Sequence, residues 1–333
     1  MAAIVGHGAA IAGGRETVWG TAVSRTVALD VLGVPNFRRI PTRVQIPTLG
    51  RAGDASSLHR AHIIGTIPSA WDFSHVGEYA NGTVLWDAEA FGAQSTSGTA
   101  TFAHTLTLAN LKATALKGLT VEVQRGQTPG GTTYSEVFEG CLSQSVNWSI
   151  SVGTPYLVCA RSGVAQTAAA RSTGVDLSSL FQATASDRVL FHQLNSGQLS
   201  FNSANYTGIR SLSWTLAVNL VERFELGSQL SIAPVTVEPS VELTAELEYQ
   251  DDALYTAWLA GTQSNLAFGF TGVTSPNAFD VTLHNAMVTS YQESGGDKGP
   301  ITRSVTWTAQ NDGTDMGLKH VWTNGNTNYY DKG

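Results

Sequence analysis

The chain has 333 residues, 42% of them apolar and only 14% charged, against the usual quarter. Its net charge of −7 argues against a protein that holds nucleic acid by neutralising phosphates. Two cysteines, Cys141 and Cys159, make no disulfide framework in a chain this long and read as reduced core thiols.

Residues 1–24 are rich in Gly and Ala and lack a period. They read as an extended arm with Trp19 as its anchor. They hold no basic segment followed by a sustained apolar run, so no secretory signal is expected. Thr26–Leu32 and Phe37–Ile46 read as strands, and Pro47–Arg60 as a long loop of the kind that carries function. A strand ending at Phe73, a short helix around Trp86 and an alternating run at Thr101–Leu108 follow. Leu119–Val123, Tyr134–Ser151 and Thr154–Arg161 read as strands, with a turn at Gln127–Gly131. Residues 166–187 are small and polar and read as a linker with a short helix at Leu177–Gln182. Val189–Leu194, Gln198–Phe201 and Leu212–Val221 read as further strands. Val241–Tyr249 alternates apolar and polar over nine positions, the mark of a strand with one buried face. Asp251 and Asp252 suit the start of a helix and Gly261 its end, with Leu254, Tyr255, Trp258 and Leu259 on one helical face between them. Leu266–Phe270, Asp280–Met287 and Thr302–Ala309 complete the strands. Residues 313–333, with Trp322, Tyr329 and Tyr330, read as a second arm.

Several stretches recur in the same order. Ser69–Phe73 matches the end of the Val241 strand, and Leu85–Gln94 matches Leu254–Gln263. Thr48–Arg51 matches Glu225–Ser228, Leu119–Gly126 matches Leu266–Gly272, and Phe138–Leu142 matches Leu283–Met287. Ordered self-similarity predicts an internal duplication. The expected fold is all-β with short helices: two tandem barrel or sandwich domains, each with one short helix, over 1–165 and 188–333. The Gly98–Ala109 hairpin belongs to the first alone.

No catalytic motif is present. The eight histidines form no HExxH or HxH pair, and there is no GxSxG, Walker loop or GxGxxG. His59 and His62 come nearest to a metal pair but lack an acidic partner. No cofactor or metal is expected, nor an enzyme.

The chain resembles the tail tube proteins of long-tailed bacteriophages. The resemblance rests on Gly14-Arg-Glu-Thr-Val-Trp-Gly-Thr21, the helix around Trp86, the Leu119–Val123 strand and the Gly140-Cys-Leu-Ser-Gln-Ser-Val-Asn-Trp-Ser-Ile150 strand. It covers most of the chain and is closest to the subgroup with two barrels in one polypeptide. It implies trimeric rings with six barrels, stacked into a hollow tube around a tape-measure protein, with tail-tip and terminator proteins as partners. DNA would transit without specific binding and without a membrane. The protein would be a virion tail component assembled in the host bacterial cytoplasm. An acidic wall would repel phosphate, so Glu122, Glu242, Glu246 and Glu248 are expected at or near the lumen. Ring-to-ring contacts are expected from the loops bearing Leu49, Arg51, Asp54, Arg60, Leu226 and Gln229, and from Trp19, Trp322, Tyr329 and Tyr330 on the arms. The alternative is another virion or adhesive β-sandwich that binds carbohydrate through exposed aromatics.

Overall fold

The computed structural model describes residues 10–40, 44–45, 61–62, 69–108, 117–127, 133–168, 172–173, 177–181, 187–295, 300–310 and 317–325. In chain order the first half carries β1 (Ala10–Arg15), β2 (Val27–Leu29), β3 (Asn36–Arg39), β4 (Val44–Gln45), β5 (Ala61–His62) and β6 (Ser69–Val76). It continues with α1 (Asn81–Phe91), β7 (Gly92–Ser97), β8 (Phe102–Leu108), β9 (Leu119–Gln127), β10 (Thr133–Ser151), β11 (Val158–Ala165), β12 (Thr167–Ala168) and β13 (Ser172–Thr173). The second half carries β14 (Leu199–Phe201), β15 (Ala204–Tyr206), β16 (Ile209–Ala217), β17 (Leu220–Arg223), β18 (Ile232–Thr236) and β19 (Ser240–Glu248). Then follow α2 (Ala253–Ala260), β20 (Gln263–Thr271), β21 (Ala278–Ser294), β22 (Thr302–Thr308) and β23 (Leu318–Asn324).

Both halves pair their strands in one order, all antiparallel. The first runs β2-β1-β9-β10-β11-β6-β3. The second runs β15-β14-β20-β21-β22-β19-β16. Each set curls back on itself. After β2, Val31 bridges His75 of β6; after β15, the Gly208 carbonyl accepts from the Glu248 N–H of β19 at 2.9 Å. Such closure leaves few exposed edges.

The bulges correspond as well. β10 shifts register against β9 between Phe138 and Cys141, with Gly140 at φ 65°; β21 shifts against β20 between Leu283 and Ala286, with Asn285 at φ 46°. Gly and Asn are the residues that tolerate this left-handed geometry. A second shift passes Gln144 in β10 and Thr289 in β21. Bulges aim the strand that carries them, so β10 and β21 bend at the same two places.

The halves share one core. The far part of β10 pairs β16 from Ser145↔Ala217 to Ser151↔Ser211, and β8 pairs β23. A single buried cluster runs through both halves. Trp148 and Trp214 face each other across the β10–β16 seam, stacked at 6.0 Å and 11°, a contact worth about 0.5–1.5 kcal/mol beyond area burial. Val84 to Phe91 of α1 are all buried, because this helix is covered on every side.

Four sequence expectations change. The N-terminal stretch is not wholly an arm: β1 lies between β2 and β9. Its glycines hide the strand pattern because α1 sits against it; a Cβ on Gly13 would stand 3.4 Å from Trp86 Nε1. The C-terminal stretch is likewise not an arm through Trp322, since β23 lies between β21 and β8 with Leu318, His320, Trp322 and Asn324 facing inward. The expected strand at Val189–Leu194 contains a 3-10 turn at Phe191–Gln193. The short helix expected at Leu177 is a 3-10 turn, Leu177–Leu180. At α2 the Asp251 carboxylate accepts from the Ala253 N–H at 3.0 Å, and Gly261 closes the helix in the left-handed region at φ 61°.

Candidate functional site

Eight strands form one continuous sheet across the halves: β3-β6-β11-β10-β16-β19-β22-β21. Period-two alternation gives it two unlike faces. Trp71, Phe73, Val146, Trp148, Leu212, Trp214, Leu243, Val305 and Trp307 point into the core. The other face carries Asp72, Ser74, Ser162, Asn147, Ser213, Thr215, Glu242, Thr244, Glu246 and Thr306, all partly or fully exposed. Short side chains lace it together: Asn147 Nδ2 donates to Ser213 Oγ at 3.1 Å and Thr215 Oγ1 at 2.7 Å, and the Thr244 and Thr306 hydroxyls meet at 3.0 Å. Asn36 Nδ2 donates to Asp72 at 2.6 Å. Cross-strand pairs of this kind flatten and order a sheet surface.

Glu242, Glu246 and Glu248 lie together on this face along β19, and Glu248 accepts from Arg210 at 3.0 Å. Glu122 does not join them. It sits on β9, which is outside this sheet, buried against Arg25 and accepting from Ser135 Oγ at 2.6 Å. Asp72 does lie on the face, and nothing in the local pattern singles it out from the other residues of its strand.

Behind the face, at the seam between the halves, is a closed polar hub. Asp87 of α1 pairs with Arg161 of β11 and accepts from Trp322 Nε1 at 3.0 Å and Trp148 Nε1 at 3.3 Å. His320 Nδ1 lies 3.2 Å from its second oxygen, and Trp214 Nε1 donates to His320 Nε2 at 3.1 Å. Arg161 Nε donates to His75 Nε2 at 3.0 Å. Burial alone would raise the Asp87 carboxyl, but Arg161 and His320 outweigh it and hold it below the ordinary range. Burial, aided by Arg161, lowers His75 to about 3, and burial lowers His320 as well. A charge-neutral knot with no exposed side chain is a structural device; reagents have no way in. Sequence reading missed it because its members lie on α1, β6, β11 and β23, far apart in the chain. Among the described residues no three His, Cys, Asp or Glu side chains converge as a metal site.

The Gly14–Thr21 motif is also structural. Buried Glu16 accepts from the Gly140 N–H at 2.8 Å, the Gly20 N–H at 2.7 Å and Thr120 Oγ1 at 2.9 Å. Trp19 Nε1 donates to the Gly140 carbonyl at 3.1 Å. The motif thus clasps the β10 bulge. Trp19 is partly buried and docked on its own barrel, and Trp322 is fully buried and held by Asp87, which leaves the Trp322 side chain no surface of its own to offer another ring. Leu226 and Gln229 do lie on an exposed loop, joining β17 to β18, with Leu226 entirely bare. Leu49, Arg51, Asp54, Arg60, Tyr329 and Tyr330 lie outside the described residues.

Two joined antiparallel barrels sharing a polar-faced sheet, with the Asp87–Arg161–His75–His320 hub buried between them, define an all-β protein. The sequence matches the phage tail tube protein family over residues 6–309. The chain belongs to that family and is a structural component of the virion tail. Comparison with curated proteins gives no significant match. Among solved structures, a chain from the virion of a native gene transfer agent particle is similar at 13% identity and a TM-score of 0.28, covering 35% of this chain and 93% of that one; so slight a likeness carries no argument.

Proposed function

We propose that copies of this chain close into rings of three, each ring presenting six barrels, and that the rings stack into the tube through which phage DNA passes. The observation that carries this reading is the eight-strand sheet, whose polar face would line the channel. Hydroxyls and amides dominate there, and the carboxylates Glu242, Glu246, Glu248 and Asp72 outnumber the cations Arg38 and Arg210, leaving an excess of negative charge that repels phosphate. The identical strand order and matching bulges support an origin of the two barrels by duplication, with domains at 1–165 and 188–333. A tape-measure protein would fill the channel before ejection, and tail-tip and terminator proteins would bound the tube. Assembly in the host cytoplasm follows from this role.

Electron microscopy of the purified protein, alone and with a tail-tip extract, tests the reading. Hollow rings with six lobes and a channel are the expected result. Persistent monomers under both conditions would refute it. One feature favours the adhesive alternative: Tyr255 and Trp258 of α2 form an exposed aromatic pair that rests on Tyr291. Glycan binding that is lost in Trp258→Ala, without rings, would support that second reading.

A further inference from the structure

Two left-handed glycines of the first barrel share one neighbour. Gly20, in the Gly14–Thr21 motif, has φ 74°, and Gly140, in the β10 bulge, has φ 65°. A Cβ on Gly20 would collide with the Gln166 side-chain amide, and one on Gly140 would stand 2.9 Å from Gln166 Cβ. Both positions are bare where the Gln166 side chain crosses them, and bare positions permit such close approach. The Gln166 backbone is fixed as well. Its N–H donates to the Glu139 carbonyl at 2.9 Å, and the next residue, Thr167, pairs with Glu139.

The far end of this side chain reaches the second half. Gln166 Nε2 donates to the Ser231 carbonyl at 3.1 Å. Ser231 is buried, whereas every residue from Val221 to Leu230 is partly or fully exposed. It sits just before β18, on the hairpin that β17 and β18 form as a two-stranded sheet of their own. The hairpin leaves β16 at Asn219, φ 54°. Its ladder starts at Leu220↔Thr236 and ends at Arg223↔Ile232, so Ser231 lies past the last rung. That is about 17 Å along the strand from Thr236, and a tilt of about 10° at the base would move it by about 3 Å. Close-packed contacts do not absorb such a shift.

We propose that Gln166 is a positioning residue for ring stacking. It latches the free end of the β17–β18 hairpin to the first barrel, and so fixes the angle at which the bare Leu226 loop meets a second copy of the chain in the next ring. The proposal rests on the ring reading. It also gives the Gly14–Thr21 motif a consequence beyond its own barrel. Glu16 and Trp19 hold Gly140, Glu16 accepts from the Gly20 N–H, and the two glycines form the bed on which Gln166 lies. A carboxamide suits the place, since its N–H group donates across the gap while its oxygen rests over a residue without a side chain.

Gln166→Met tests the latch, because it keeps an unbranched side chain of similar length and removes the donor. In the unassembled chain, hydrogen exchange at the Val221–Thr236 amides is expected to rise at least tenfold, with exchange in β9–β11 and the thermal midpoint unchanged. By microscopy, single rings are expected to persist while the concentration at which rings stack rises at least tenfold. Gly20→Ala, which pushes the same amide aside from the opposite direction, is expected to raise the stacking concentration likewise. Unchanged hairpin exchange in Gln166→Met would overturn the latch. Faster exchange with normal stacking would overturn its role in stacking and leave the ring reading intact. No rings from the unsubstituted chain would overturn the ring reading and the stacking role with it, whereas the exchange result decides the latch by itself.

Discussion

Asp87 is the residue on which the seam between the halves turns. Its carboxylate balances Arg161 and gathers N–H groups from Trp148 and Trp322 and the His320 ring. Removing one partner of a buried pair strands the other, which costs about 3–5 kcal/mol. Asp87→Ala is therefore expected to lower unfolding free energy in urea by about that much, and Asp87→Asn by less, because the amide oxygen still accepts. A second residue-scale consequence concerns pH. Burial raises Glu89 from 4.5 to about 7, and burial with the charge of Asp30 raises Glu78 to about 8. The folded chain holds extra protons there, so this contribution is complete below pH 4.5 and is lost as pH rises through 7 and 8. His75, lowered from 6.5 to about 3, acts in the opposite sense: its contribution is complete above 6.5 and is lost as pH falls toward 3. The two oppose between pH 4.5 and 6.5. Thermal midpoints are expected to be highest in that interval and to fall on both sides. Glu89→Gln should flatten the alkaline fall and leave the acid one.

At the scale of elements, bulges and hairpins divide the work. The Gly140 bulge is where two sequence motifs meet, since Glu16 and Trp19 both bind its backbone. The β17–β18 hairpin prolongs the β16–β19 pair beyond the barrel and keeps Val221, Phe224, Leu226, Leu230 and Val235 exposed. An isolated two-stranded ribbon is marginal in water, and so much bare apolar surface calls for a partner. Contact with the next ring would supply one. Replacing Glu225–Leu230 by a short Gly-Ser turn is expected to leave single rings intact and stop stacking, as counted by microscopy; normal tubes would refute this role. The strands themselves were legible where alternation was clean: Leu212–Val221 falls on β16 and the start of β17, which the expectation ran together, Val241–Tyr249 falls on β19, and Gly261 ends α2 as its freedom at positive φ predicts. β1 was not legible, because its Gly13 and Gly14 replace side chains that would have shown a period. β23 was hidden by its mixed inward set of His, Trp and Asn, which becomes apolar-facing only once Asp87 and Tyr79 supply partners.

For the whole molecule, the class was legible in the chain alone. Low charge, period-two runs, ordered self-similarity and the Gly14–Thr21 and Gly140–Ile150 motifs pointed to an all-β protein of the tail tube family, and these are local properties that need no partner to be read. The acidic row Glu242, Glu246 and Glu248 was visible for the same reason, since alternation assigns a face. Which faces join was decided only by tertiary structure. Strand pairing depends on contacts between residues far apart in the chain, and no period reports them. That is why Glu122 was grouped with the β19 carboxylates although it lies outside their sheet, and why Trp19 and Trp322 read as parts of arms although the first docks on the Gly140 bulge and the second is buried in the core. The hub of Asp87, Arg161, His75 and His320 exists only where the fold brings distant strands side by side.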